Sequence, residues 1–176
     1  FNIGLFNGYG IKEYRYNNSG IMATQNLSYR IPFKHSSLQF GYSVMYRKAG
    51  NLYLPGIEPD TAFYSGDEFS FDVNGLFKSK VVDIQAEYLQ ANIDKATANG
   101  YYTLVTIKIN AKNQTYFVFD NYRKGYESKL NGSWYITGYN YLFKKYDIML
   151  TLETGFQETE EKWNNRTVLQ FQMFFH

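Results

Sequence analysis

The sequence contains no cysteine, which excludes a disulfide framework and any thiolate metal site. It has only two histidines: His35 in a predicted tight turn after Pro32, and His176 at the last position. Histidines so placed make neither a metal site nor the base of a Ser-His-Asp hydrolase. No apolar run approaches the roughly 18 residues of a helical membrane span, so a helical membrane protein is excluded. No signal peptide opens the chain. Charge of one sign is also lacking: 18 Lys and Arg against 16 Asp and Glu leave a formal charge of +2, too balanced for a nucleic-acid binder. Three prolines in 176 residues leave regular structure largely uninterrupted.

What the chain has in abundance is aromatic: 18 Tyr, 15 Phe and 2 Trp make up 20 % of it. Tyr and Phe, with Val, Ile and Thr, suit pleated surfaces, and 14 glycines are available for turns. The length fits a single domain over residues 1–176. Period-two alternation outweighs helical spacing nearly everywhere. Leu169, Phe171, Met173 and Phe175 alternate with Gln170 and Gln172. Leu38, Phe40, Tyr42, Val44 and Tyr46 oppose Gln39, Gly41, Ser43 and Arg47. Phe69, Phe71, Val73 and Phe77 oppose Ser70, Asp72, Asn74 and Lys78, while Val82, Ile84, Ala86 and Tyr88 oppose Asp83, Gln85 and Glu87. Ile148, Leu150, Leu152 and Phe156 repeat the pattern against Asp147, Thr151 and Glu153.

About ten strands follow from this pattern, over 1–7, 21–32, 38–48, 68–78, 82–93, 100–111, 115–123, 133–143, 146–157 and 166–176. Most reach the roughly 9–11 residues of a tilted membrane-spanning strand, beyond the usual 5–6 of soluble strands. Short connections (Pro32 to Ser37, Ser79-Lys80, Lys112-Asn113, Lys144-Lys145) alternate with long ones (Gly8 to Gly20, Ala49 to Asp67, Lys124 to Gly132, Glu158 to Asn165), Ala96 to Asn99 being in phase but shorter. Short turns at one end and long loops at the other are the layout of an outer-membrane barrel. The expected fold is therefore all-β, an antiparallel up-and-down transmembrane β-barrel. Such barrels keep mean hydropathy low because only alternate residues face lipid; here it is -0.45.

Alternation does not by itself say which face is inside. The apolar face is too bulky for a small soluble barrel's lumen. The alternate face mixes Gly, Ser, Thr and Gln with charges of both signs, as a hydrated channel would. Aromatics gather at strand ends, as Tyr29 with Phe33, Tyr101, Phe143 and Phe156 do, in the manner of interfacial girdles. Outward-facing apolar residues, with a polar lumen, are the favoured orientation; a soluble lipocalin-like binder needs the faces inverted.

The run Phe1-Asn2-Ile3-Gly4-Leu5-Phe6-Asn7-Gly8, the segments Ala86-Glu87-Tyr88 and Gly100-Tyr101-Tyr102, and the closing Gly138-Tyr139-Asn140-Tyr141 with Leu169 to Phe175 together resemble the C-terminal portion of the phosphate-selective porin O/P family. The resemblance implies a sixteen-stranded channel, often trimeric, in a Gram-negative outer membrane, of which this chain would supply about ten strands. The opening strand at Phe1 then suggests a truncated or processed N-terminus. The family's constricting loop and basic ladder would lie mainly in the preceding strands, so no selectivity residue transfers.

Carboxylates such as Glu158, Glu160 and Glu161 fall in a predicted solvated loop, and Gly8-Tyr9-Gly10 is too short to cradle phosphate. Neither catalysis nor a cofactor is expected. The candidate pore-lining residues are Arg30, Arg47, Lys78 and Lys108, facing Asp72, Asp83, Glu87, Asp147 and Glu153 across the same lumen. That mixture makes no one-sign ring of the kind that sets ion preference. The function that follows is passive diffusion of small polar or anionic solutes through an outer-membrane, porin-like channel. The alternative is a narrow, non-conducting barrel, its lumen filled by Tyr102, Tyr122 and Arg47, that anchors or joins a larger membrane assembly. Lipid and the solutes are the expected partners, with no nucleic acid.

Overall fold

The computed structural model describes residues 1–7, 21–53, 63–93, 96–123, 132–143, 148–159 and 162–173. They form ten strands: β1 (Asn2–Asn7), β2 (Ile21–Pro32), β3 (Ser36–Tyr53), β4 (Phe63–Ser79), β5 (Val82–Ile93), β6 (Ala96–Lys108), β7 (Asn113–Arg123), β8 (Gly132–Phe143), β9 (Ile148–Thr159) and β10 (Trp163–Met173). Each strand pairs antiparallel with its neighbours in sequence, giving one sheet in the order β1 to β10. All ten expected strands are present, and the up-and-down connectivity is as expected. The sheet is not closed: β1 pairs only with β2 and β10 only with β9 among the described residues.

Several boundaries differ from those expected, each for a local reason. Residues 96–99 belong to β6, where Ala96 opposes Ile93 and Asn99 opposes Gln90, so only two residues separate β5 from β6. β9 and β10 run to Thr159 and from Trp163, into the loop expected over Glu158 to Asn165. The amide and hydroxyl of Thr159 both donate to the Lys162 carbonyl (3.0 and 2.9 Å), and strand pairing continues as far as Trp163↔Glu158. β3 and β4 extend to Tyr53 and Phe63, with a register shift between Ala49 and Leu52. Long connections therefore remain between β1 and β2, β3 and β4, and β7 and β8. The expected turn at Lys144-Lys145, Gly8-Tyr9-Gly10, Asp147, Phe175 and His176 lie outside the described residues.

At the opposite end the turns are short and held by side chains. Ser79 Oγ accepts from the amide of Val82 (2.9 Å) and donates to its carbonyl (2.7 Å). Asn110 Oδ1 accepts from the amides of Lys112 and Asn113 (2.9 and 3.0 Å), an Asx device that bends the backbone at low cost.

Directly opposed residues of an antiparallel pair project to the same face, so the register assigns every strand residue to one of two faces. On one face lie Leu38, Phe40, Val44, Phe69, Phe71, Val73, Ile84, Val105, Phe117, Tyr135, Leu150, Leu152, Leu169 and Phe171, with some polar residues such as Gln25, Gln90, Asn121 and Thr154; on the other lie most of the charged side chains and most of the glycines. Burial runs opposite to a soluble protein. Ser37, Glu68 and Thr151 of the polar face are buried, while Leu5, Phe40, Val73, Phe117, Leu152 and Leu169 of the apolar face are exposed. Leu142 is the only buried hydrophobic side chain among the described residues, so no apolar core exists there.

Candidate functional site

The register brings Arg30, Arg47, Lys78 and Lys108 onto the polar face together with Asp72, Asp83, Glu87 and Glu153. They do not form one cluster. Arg30, Lys78 and Lys108 sit close to the turn ends of β2, β4 and β6, next to Pro32, Ser79 and the turn after Lys108. Arg47 lies toward the loop end, opposite Met22 near the start of β2.

Two of the four cations are neutralised. Arg47 Nε donates to Glu68 Oε2 at 2.8 Å, and a second guanidinium nitrogen reaches the same oxygen; both side chains are largely buried. Lys108 Nζ donates to Asp83 Oδ1 at 2.7 Å and to the Ser79 carbonyl at 2.9 Å, tying the β4–β5 turn to β6. Asp83 directly opposes Lys78 in register yet bonds Lys108, because β6 lies on its other side. Arg30 donates to the hydroxyl of buried Ser37 at 3.2 Å. Lys78 is exposed. A positive rim at the turn end thus combines Arg30, Lys78 and Lys108 with one carboxylate, Asp83.

Farther along the same face the charge reverses. Asp72, Glu87 and Asp120 lie on β4, β5 and β7 in adjacent cross-strand rows, and none makes an ion pair among the described residues. Asp72 accepts from Asn74 Nδ2 at 3.0 Å, and Glu87 directly opposes Tyr102 in register.

A groove of about 590 Å³ lies beside these carboxylates and is lined from β1 through β7. Its floor is a continuous register row, Asn2–Asn26–Ser43–Asp72–Leu89–Gly100–Tyr122, flanked by Thr24–Met45–Ser70–Ala91–Ala98. Seven strands can share one groove only if this face is concave. Small side chains leave the space open, and at Gly100 a Cβ would lie 3.2 Å from the Asn121 carbonyl and 3.5 Å from the Tyr122 ring.

Beyond β7 the polar face is covered by its own side chains. The Tyr116 ring lies across Gly138, where a Cβ would come within 2.2 Å of Tyr116 Cζ. Its hydroxyl thereby reaches past β8 and donates to Glu153 Oε2 on β9 at 2.7 Å. Arg166 on β10 donates to the other Glu153 oxygen at 3.1 Å and stands 4.8 Å over the Trp134 ring. Tyr116, Glu68 and Arg166 escape a reading of the pattern. Tyr116 counts as one more aromatic until register places it among polar residues, and Arg166 sits in Asn164-Asn165-Arg166-Thr167, where no apolar alternation marks a face. Among the described residues no group of three or more His, Asp or Glu could hold a metal ion.

Neither protein-family models nor curated proteins nor solved structures give a match to the chain.

Proposed function

We propose that this chain builds the wall of a passive, porin-like channel in a bacterial outer membrane, admitting small polar solutes along its polar face. One observation carries the reading: large apolar side chains are exposed on one face of a ten-stranded sheet while charged and hydroxyl side chains are buried on the other. In water that arrangement would leave apolar surface far beyond the few hundred Å² of an ordinary monomer. In lipid it is the expected one. Nine strands have eleven residues or more, enough to span when tilted. Tilted aromatic pairs Tyr101–Phe119 and Phe119–Tyr135 lie toward the loop end of the apolar face, and the edge-to-face pair Tyr141–Phe143 toward the turn end. Eight residues separate Tyr135 from Phe143, roughly 26 Å along a strand and about 20 Å along a membrane normal at a 40° tilt. Two aromatic belts so spaced suit the two interfaces of an outer membrane.

The open edges of β1 and β10 favour a second reading, a subunit of a larger membrane assembly. Unpaired backbone groups cost several kcal/mol each in hydrocarbon, so the wall needs completion, either by β1 meeting β10 or by strands from elsewhere. The resemblance to sixteen-stranded, trimeric phosphate-selective porins agrees with completion by further strands. Its phosphate selectivity finds little support in a polar face where Glu68 and Asp83 neutralise two of the four nominated cations.

The test is reconstitution into planar bilayers. Stepwise conductance supports the channel. Stable insertion without conductance selects the non-conducting subunit. A protein that stays folded and monodisperse in detergent-free buffer overturns both.

A further inference from the structure

We infer that the groove on the polar face is a binding site for an amphipathic organic cation, an ammonium head on an apolar body. The inference rests on the reading of that face as a lumen and gives it a solute class. The groove's size and its mainly hydrocarbon lining are those of a small-molecule site. Its two flanks differ in chemistry. On the β2–β4 side, Asn26, Ser43 and Asp72 offer polar atoms, but Asn26 Nδ2 already donates to Ser43 Oγ at 2.8 Å. On the β5–β7 side, Leu89, Ala98 and the Tyr122 ring offer apolar surface.

Charge sets the sign of the ligand. Among the described residues Asp72 is the only charged side chain in the lining, and no Lys or Arg contributes to it. Asp72 forms no ion pair among the described residues, nor do Glu87 and Asp120 in the neighbouring row. The nearest guanidinium along β3, on Arg47, is held by Glu68. An anion would meet uncompensated carboxylates here, whereas a cation would replace the missing counter-charge. The register places Asp72 and Tyr122 three strand spacings apart, roughly 14 Å along the sheet and less across its concavity. A ligand about that long would set its ammonium on Asp72 and its body over Leu89, Ala98 and Gly100. Its far end would lie against Tyr122, whose ring face is a favourable surface for hydrocarbon or for a second cationic centre.

Three probes with one body and different heads test this: 4-phenylbutylammonium, 4-phenylbutanol and 4-phenylbutyrate. Each is titrated calorimetrically against the whole chain in lipid nanodiscs, with empty discs subtracted. The ammonium should bind about tenfold more tightly than the alcohol, and the carboxylate more weakly still. Asp72→Asn should erase the difference between ammonium and alcohol, while Tyr122→Ala should weaken all three probes. Equal binding of the three heads by the unmodified protein overturns the inference and requires no variant to fold. The same titration on a preparation that inserts but carries no current separates the two readings. Head-group preference without conductance sinks the channel and keeps the site; conductance without preference does the reverse.

Discussion

The two faces of this sheet share a backbone and differ in almost everything else. On the apolar face, side chains touch their cross-strand neighbours and then end in open surroundings, as Leu169 does at 71 % exposure. On the polar face they reach over one another: Tyr116 across Gly138 to Glu153, Lys108 to Asp83, Arg47 to Glu68. The apolar face thus presents mainly hydrocarbon, its polar groups bonding one another as Gln25 does Tyr42 and Tyr88 does Gln90, whereas the charged contacts Arg47–Glu68, Lys108–Asp83 and Tyr116–Glu153 lie on the polar face. A surface that needs only hydrocarbon against it suits a solvent of hydrocarbon. A surface of paired charges and half-satisfied amides suits water and solutes.

The sharpest way to break this comparison is to place the same charge on both faces at neighbouring positions. Leu27 and Ser28 are adjacent and exposed near the middle of β2, on opposite faces. With lipid against the apolar face, Leu27→Arg should cost about 2–4 kcal/mol of folding stability in membranes. Ser28→Arg, entering the polar face opposite Gly41, should stay within about 0.5 kcal/mol. Urea titrations of the protein folded into vesicles measure both. Equal penalties, or a larger one at Ser28, would remove the assignment of lipid to the apolar face.

Much of this division is legible in the sequence, because period-two alternation is a local property. Leu38 to Tyr46, Phe69 to Phe77 and Leu169 to Met173 announce both a strand and its faces without any partner. What lies beyond local pattern is who meets whom. Nothing near Lys108 in sequence shows that Asp83, 25 residues away, will take its charge, so four candidate pore cations read alike although two are paired. Turn chemistry also competes with expectation. Ala96 to Asn99 looks like a connection because it is small and polar, yet ladder pairing with β5 draws it into β6. The groove is equally hidden, for it depends on rows assembled from seven strands.

A smaller effect compares two glycines. Gly138 lies on the polar face beneath Tyr116, where an added Cβ has no room; Gly75 lies on the apolar face, where the nearest atom to such a Cβ is Phe40 Cδ1 at 4.0 Å. Gly138→Ala must lift the Tyr116 ring and lose its bond to Glu153, costing about 1–3 kcal/mol as overpacking. Gly75→Ala should be neutral or stabilising by up to about 1 kcal/mol, since it restricts the unfolded chain. The pair is measured by the same urea titration. A tolerant Gly138 would mean that Tyr116 does not lie across the sheet.

The smallest expected effect uses the two tryptophans, one on each face. Trp163 is on the apolar face and 64 % exposed, while Trp134 is on the polar face beneath the Arg166 guanidinium. Trp134→Phe leaves Trp163 as the only indole, and Trp163→Phe leaves Trp134. In vesicles of brominated lipid the Trp163 emission should be quenched and the Trp134 emission spared. Aqueous acrylamide should reach Trp134 more readily once Arg166→Ala uncovers it. The stability lost with Arg166→Ala should be no more than about 1 kcal/mol, because its partner Glu153 retains the Tyr116 hydroxyl and Arg166 is half exposed, which screens its charge. The optical change is therefore the decisive readout. If brominated lipid quenched both indoles alike, the two faces would share one environment, and the contrast between a lipid-facing and a water-facing surface would fail at the scale of single side chains.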